Sequence, residues 1–379
     1  MTLATAIAGA PAARAGMKRL EPRSLACGIA ALIAFGLLGF VNAGLGLGLV
    51  LLIASALATL RRTGRGIAVG LTALGALLAA SSLLIALDGI VAEHGTAGLS
   101  AALVAVWLGA WQLVNHVVSA TPPRGMGRLV ANLAVPVIFG ATLLFLWECV
   151  TRGFGVPPVI LPPPSAIGAR FAGSLPTLGV DFLQTLRGVT AGYVIGSGAG
   201  LLVAILIDRV PFLQRGLLPL GNLVSALPIV GVAPIMVMWF GFDWPSKAAV
   251  VAVMCFFPML VNTLAGLTAA GQIERDLMRS YAAQPGQTLT KLYLPAAMPF
   301  IFNALKINST LALIGAIVAE FFGTPLHGIG FRISIEVARM SLDMVWAEIA
   351  LAAVAGMAFY GVVALAERVT TFWHPSYRS

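Results

Sequence analysis

Few residues in this chain could do chemistry, and their spacing decides what kind. The largest polar group in an otherwise apolar sequence is Gln272–Pro299, which carries Glu274, Arg275, Asp276, Arg279 and Lys291. Elsewhere Arg187, Lys306 and Glu320 stand inside or beside long apolar runs, where a charge is costly and marks a functional candidate. Lys306 and Glu320 are 14 residues apart in one run. At 1.5 Å per residue that separates them by about 21 Å, too far to pair directly. Lys306 lies near enough to one end to snorkel, Glu320 lines a gate or bonds to a neighbouring helix, and Arg187 sits at headgroup level or attracts an anionic solute. Asn262, Thr263, Asn303, Asn308, Ser309 and Thr310 give two helices polar groups suited to interhelical hydrogen bonds or to a polar path.

Other chemistries lack their parts. Cys27, Cys149 and Cys255 are scattered in apolar runs, with no CxxC spacing. His94, His116, His327 and His374 form neither HxxxH nor HExxH, so a metal site is not expected. No GxxxxGK[ST] loop is present, so the chain is not expected to bind ATP. A membrane-embedded enzyme would need a cluster of His, Cys or carboxylates that the sequence does not offer.

The elements that position these residues are membrane helices. Of 379 residues, 59% are hydrophobic and 10% charged. Uncharged windows of about 20 residues, the length that crosses a ~30 Å hydrocarbon core, recur along the chain. A net charge of +9 with no basic stretch interleaved with aromatics points to basic loops on the inner side rather than to nucleic acid. Leu25–Leu60 is long enough for two crossings with a turn near Asn42–Gly44, and its basic start at Lys18, Arg19 and Arg23 reads as an uncleaved first helix rather than a signal peptide. Ile67–Leu87 and Leu99–Val118 follow. Residues 1–23 read as a cytoplasmic tail, 24–120 as an accessory four-helix region, 121–128 as a linker, and 129–373 as the main body.

Six crossings are expected after the linker: Leu129–Val150, Leu186–Ile207, Leu217–Phe240, Ala248–Leu267, Phe300–Phe322 and Val345–Glu367. Thr151–Thr185, with Pro157, Pro158 and Pro162–Pro164, reads as a long segment on the outer side. Pro219, Pro228 and Pro234 interrupt one crossing, which is tolerated where neighbours or a water-lined path re-satisfy the backbone. Gly188, Gly192, Gly196 and Gly200 recur every four residues, a spacing that lets another helix approach closely. The alternation of basic and acidic loops puts both termini and Gln272–Pro299 in the cytoplasm. Within that loop Gln272–Gln284 and Gln287–Leu294 read as two short helices broken at Pro285-Gly286, an elbow suited to transmitting a partner's movement.

Asp276, Ala282, Leu292, Leu294 and Pro295 fall at the spacing of the loop motif of ABC importer permeases: Glu-Ala-Ala, three residues, Gly, nine residues, Ile, one residue, Leu-Pro. LPPPSAI (161–167), TLRGVTAGY (185–193), LPIVGVAPIMVMWFG (227–241), SKAAVVAVMCFFPMLVNTLAGL (246–267) and ALKINSTLALIGAIVAEFFG (304–323) agree in order. Together they resemble the permeases for nitrate, sulfonate, taurine and pyrimidine-type vitamin precursors, over about residues 129–373.

The resemblance implies an all-α polytopic inner-membrane protein, a six-helix type I importer core preceded by about four extra helices, surrounded by membrane lipid. It implies two permease copies, ABC ATPase subunits docked on the loops, and an extracytoplasmic solute-binding protein, with no cofactor on this chain and no nucleic acid. Asp276, Arg279, Ala282, Pro285, Gly286, Leu292, Leu294 and Pro295 would couple to the ATPase, the polar ones contacting its cleft and the apolar ones seating in it. Arg187, Asn262, Asn308 and Glu320 are the candidates for the translocation path.

The chain departs from the motif at Asp276 for Glu, Leu277 and Met278 for the alanines, and Ala282 for Gly. The expectation is therefore that the bend has moved from position 282 to Pro285-Gly286. The alternative function is a secondary, ion-coupled transporter without an ATPase, which would need carboxylates or histidines deep in its helices and an inverted repeat.

Overall fold

The computed structural model describes residues 22–38, 43–60, 65–119, 126–209, 229–323 and 326–373. The expected tail, the turn at Asn42, the basic pair Arg61 and Arg62, the linker up to position 125, and the first half of the Leu217–Phe240 crossing with Pro219 and Pro228 lie outside the described residues. Among the described residues the secondary structure is wholly helical. The chain forms two compact units, Met1–Ser165 and Ala166–Ser379.

The first unit contains α1 (Pro22–Leu38), α2 (Ala43–Leu60), α3 (Arg65–Ser119) and α4 (Met126–Gly153). Helical backbone runs unbroken through α3, where two crossings separated by an acidic loop were expected. A straight helix would hold Ala76 and Gly109 about 50 Å apart. Yet a Cβ placed on Gly109 would lie 3.5 Å from the Ala76 side chain, and Leu87 and Leu99 both pack against Gly153 of α4. The chain therefore doubles back between Leu87 and Leu99, and two apolar stretches lie side by side with a helical turn between them. Close approach of small residues holds the unit together: Gly28 meets Ala56, Gly48 meets Ala79, and Gly75 meets Leu51 and Leu52. Around these contacts Cys27, Leu38, Leu45, Leu49, Leu83 and Cys149 make a closed apolar core.

At the end of α4 the buried carboxylate of Glu148 accepts hydrogen bonds from the Ser165 N–H (2.9 Å) and hydroxyl (2.6 Å). That tie folds the proline-rich segment back onto its own helix.

The second unit continues through α5 (Pro164–Gly173), α6 (Leu175–Arg209), α7 (Ile229–Phe240), α8 (Trp244–Thr268), α9 (Gln272–Ser280) and α10 (Pro285–Thr288). A π-helical turn at Leu289–Tyr293 leads into α11 (Leu294–Glu320), α12 (Ile329–Ala338) and α13 (Leu342–Thr370). Helix α6 starts eleven residues before the expected crossing, so the end of the supposed outer loop is helical. The glycine stripe explains how α6 packs. A Cβ at Gly192, Gly196 or Gly200 would collide with backbone of α8 at Ala248, Ala252 or Phe256, so the two helices touch along their main chains. Val189, Val251, Cys255, Ala312 and Ala316 join α6, α8 and α11 in the middle of the unit, and Met259, Leu267, Ala297 and Ile301 do so nearer the loop.

Six described stretches are long and apolar enough to cross a membrane: Ala97–Val118, Asn132–Gly153, Leu175–Arg209, Trp244–Thr268, Pro285–Glu320 and Leu342–Thr370. Shorter apolar helices are Leu25–Leu38, Leu45–Ala58, Val69–Ile85 and Gly231–Phe240.

Candidate functional site: a two-ended polar frame

The polar residues of the second unit concentrate at its two ends. At one end lies the loop singled out above. Helix α9 begins after Gly271, with Glu274 in its first turn and Arg279 in its last, a distribution that suits the helix dipole. It closes with a Schellman arrangement: the Ala282 N–H donates to the Arg279 carbonyl (2.9 Å) and the Ala283 N–H to the Met278 carbonyl (3.0 Å). That arrangement needs a left-handed residue at position 282, and Ala282 adopts φ +47°. The bend has therefore not moved to Pro285-Gly286. It stays where the family motif has Gly, and an alanine bears the steric cost. Pro285 and Gly286 instead open α10, with Pro285 in its first turn and a capping box between Gln284 and Gln287.

The elbow is pinned to the helices beneath it. Arg209 at the end of α6 donates to the Pro285 carbonyl (3.0 Å). Arg275 donates to the Thr268 carbonyl (2.9 Å) at the end of α8, with its guanidinium 5.8 Å from the Tyr293 ring centre. The π-helical turn carries Leu289, Tyr293 and Leu294 into the apolar cluster of Met259 and Ile301. Of the expected contact residues, Asp276, Arg279, Ala282, Pro285 and Gly286 are exposed, whereas Leu292, Leu294 and Pro295 are half-buried, Leu294 inside that cluster. The apolar surface that the loop presents is another set, Ile273, Leu277 and Tyr281, exposed at 83%, 55% and 78%. Their four-residue spacing is legible in the sequence, and of the three only Leu277 stands at a motif position.

Between the ends the polar side chains bond from helix to helix. Asn308 donates to the Ser197 hydroxyl (2.9 Å) and the Cys255 carbonyl (2.8 Å), joining α11 to α6 and α8. Asn303 donates to Asn262 (3.2 Å), and the Tyr193 hydroxyl to the Leu305 carbonyl (3.1 Å). Lys306 pairs with Glu367 of α13 at 2.7 Å, both largely buried, so this cation is held by a partner helix rather than snorkelling. Arg187 is exposed on α6.

At the other end four helices converge on the start of α12. The first N–H groups of a helix have no partner within it, and here neighbours supply the acceptors. The Gly328 N–H donates to Asp181 Oδ1 (2.8 Å), the Ile329 N–H to Thr185 Oγ1 (3.0 Å) and the Gly330 N–H to Glu320 Oε2 (2.7 Å). The Thr185 hydroxyl donates in turn to Glu320 Oε1 (2.8 Å). Glycine is required at 328, where φ is +135° and a Cβ would meet the Glu320 carboxylate.

Asp181, with no exposed surface, also accepts from Arg332 Nε (2.8 Å). That hydrogen bond holds the Arg332 guanidinium above its usual pKa. Lys247, also buried, donates to the Phe242 and Gly323 carbonyls, capping the ends of α7 and α11. Glu320, a path candidate from its position, thus sits at 2% exposure as the tie between α6, α11 and α12. Sequence reasoning missed Asp181, Lys247, Arg332 and Glu348. Each lies within a few residues of a helix end, where a charge in a membrane protein looks unremarkable.

Neither end pairs a nucleophile with a base, and among the described residues no group of His, Cys, Asp or Glu is placed to hold a metal. What the frame can do is mechanical. Two rigidly tied polar ends are joined by helices whose backbones touch.

The sequence is similar to those of known proteins. Residues 192–378 match the family of binding-protein-dependent transport system inner membrane components. A Haemophilus influenzae protein described as "Probable ABC transporter permease protein" is 30% identical over 216 residues, 57% of this chain and 88% of its own. The formylaminopyrimidine transport permease of Halalkalibacterium halodurans is 28% identical over 239 residues, 63% of this chain and 95% of its own. The taurine transport system permease of Escherichia coli is 28% identical over 242 residues, 62% and 87%. Such subunits carry no catalytic site, bind no cofactor and work with ATPase and solute-binding partners. The helical frame, the loop and these likenesses lead to one assignment: the chain belongs to the ABC importer permeases, the multi-pass inner membrane components of binding-protein-dependent transport.

Proposed function

We propose that this permease moves a small organic or oxyanion solute inward, of the kind that taurine and formylaminopyrimidine exemplify among its relatives. Two copies line the path, and Gln272–Pro299 couples each to a separate cytoplasmic ATPase. Both termini are cytoplasmic, in keeping with the basic loops.

The observation that carries the coupling role is the exposed stripe Ile273, Leu277 and Tyr281 on a helix tied to the bundle by Arg275, beside the elbow that Arg209 anchors at Pro285. A solvated loop would not hold three large apolar groups outward on a fixed frame, whereas a helix seated in a partner's cleft needs them. Asp276 and Arg279 flank the stripe and contact the cleft rim. Ala282 and Pro285-Gly286 set the angle of the elbow, and Leu292, Leu294 and Pro295 anchor it from below. Asn262 and Asn308 set helix spacing beside the path. Arg187, exposed on α6, faces the incoming solute, and Glu320 holds the outer end of the path in shape.

The functional core is residues 129–373. Its 245 residues are close to the 239 matched over nearly the whole formylaminopyrimidine relative, which supports counting α4 with the core although it packs within the first unit. Residues 24–120 are an accessory scaffold, and their removal is expected to leave transport intact.

Co-purification tests the coupling role. Wild-type permease extracted in detergent is expected to bring the ATPase with it, while Ile273→Asp with Leu277→Asp releases the ATPase and stops uptake. ATPase retention and normal uptake in the double variant would overturn the reading.

A further inference from the structure

Two asparagines meet at the surface of the second unit, on stretches long and apolar enough to cross a membrane. Asn262 lies six residues before the end of α8 and Asn303 nine residues after the start of α11. At 1.5 Å per residue those positions are about 9 Å and about 14 Å from the helix ends. Asn303 is exposed and Asn262 half-buried. Asn303 Nδ2 donates to Asn262 Oδ1 (3.2 Å), and Asn262 Nδ2 to the Pro258 carbonyl (2.8 Å). A side-chain amide carries two N–H donors and one acceptor oxygen. Each residue therefore keeps one N–H, and Asn303 its oxygen, without a partner among the described residues. The sequence shows the same step in both helices, Pro-x-x-x-Asn: PMLVN at 258–262 and PFIFN at 299–303.

Asn308 shows the other use of an amide in the same helix. Five residues on, at about 100° per residue, it is turned about 140° away from Asn303. It is 0% exposed and spends its N–H groups on Ser197 and Cys255. Helix packing accounts for Asn308. It does not account for Asn303, whose face runs on through Phe300, Ile307, Thr310 and Ile314, all exposed. Hydrocarbon offers neither donors nor acceptors, so an outward amide with unspent groups is costly there. Polar side chains at membrane depth face the protein interior or a water-filled cavity.

Resting on the permease reading above, we propose that the Asn262–Asn303 pair is a solute contact inside the translocation path, its two remaining N–H groups donating to an oxygen of the passing solute. The stripe from Phe300 to Ile314 is then a wall of that path, and Asn262 does more than set helix spacing. The pair is uncharged. It bonds an oxyanion or a carbonyl oxygen about half as strongly as a cation would, which suits a group that must release its ligand on each cycle.

Ile307, 41% exposed and one turn beyond Asn303, provides a reporter position that leaves both asparagines in place. The native Cys27, Cys149 and Cys255 are buried, so wild type gives a low background. The complete transporter, purified with its ATPase and held in lipid nanodiscs, is treated with two membrane-impermeant methanethiosulfonates. One bears a sulfonate and the other a quaternary ammonium, and each rate is normalised to that of a free thiol. Only a thiolate attacks these reagents, and it forms in water rather than in lipid. Ile307→Cys is therefore expected to be modified and wild type not. Adding Asn262→Leu to the reporter removes one donor and should slow the sulfonate reagent, relative to the ammonium one, by about threefold to tenfold, the worth of one neutral hydrogen bond. Asn303→Leu is expected to do the same and serves as the second variant. No modification of Ile307→Cys, with or without ATP, would mean that lipid or the second copy closes this face. A rate ratio untouched by either leucine would mean that the pair does not bond the solute. Each of these results overturns the proposal. Failure of the wild-type permease to hold its ATPase would strike the coupling role instead and leave these rates readable.

Discussion

The two ends of the second unit hold similar numbers of charged residues and use them in opposite ways. At the loop end Asp276 and Arg279 pair at 3.1 Å with their side chains 65% and 80% exposed. At the other end Asp181 and Arg332 pair at 2.8 Å with 0% and 18% exposed, and every neighbouring carboxylate except Glu348 has hydrogen-bonded partners. Water already satisfies the first pair, so its energy is small and its side chains stay available to a partner. The second pair has exchanged water for fixed donors, so its loss exposes a full desolvation cost. One end leaves its charges in water, and the other uses them to hold its own helices.

Variants can break or sharpen that contrast. Asp181→Ala strips the acceptor from both Gly328 and Arg332 and should cost about 3–5 kcal/mol, seen as a large fall in the unfolding temperature of the purified protein. Gly196→Val forces a side chain into the Ala252 backbone and should cost about 1–3 kcal/mol by the same measurement, whereas Gly198→Ala, with nothing within 4 Å of its added Cβ, should change little.

Ala282→Gly relieves the left-handed alanine and should stabilise the elbow by about 1 kcal/mol, read as slower amide exchange across α9. A destabilising result would mean that the bend does not depend on the backbone of that residue. Asp276→Asn should change stability by less than about 0.5 kcal/mol while weakening ATPase capture. If it costs as much stability as Asp181→Ala, the contrast between the ends fails.

Much of the frame was legible because membrane helices report themselves locally. The long apolar runs are legible as membrane helices by length and composition alone, and Gly188–Gly200 announced a close helix contact by spacing alone. The same local reading put two apolar helical stretches in Ile67–Val118, although the backbone between them stays helical. It failed where a residue's role depends on what arrives from elsewhere. Ala282 looked unable to carry a left-handed bend, so the bend was moved to Pro285-Gly286. The hydrogen bonds to Arg279 and Met278, with the anchor from Arg209, hold it at 282. Leu294 looked like a docking residue because the motif includes it, and the π-helical turn carries it inward.

What the sequence by itself determined is the class of protein, the order of its helices and the position of the loop, since hydrophobic length, charge in the loops and motif spacing are all properties of contiguous residues. What only the tertiary structure decided is the pairing of charges. Asp181, Glu320, Arg332 and Glu348 are up to 167 residues apart in the chain. Burial turns each from an ordinary helix-end charge into a group that must find a partner, and only the packing of α6, α11, α12 and α13 determines which partner it finds.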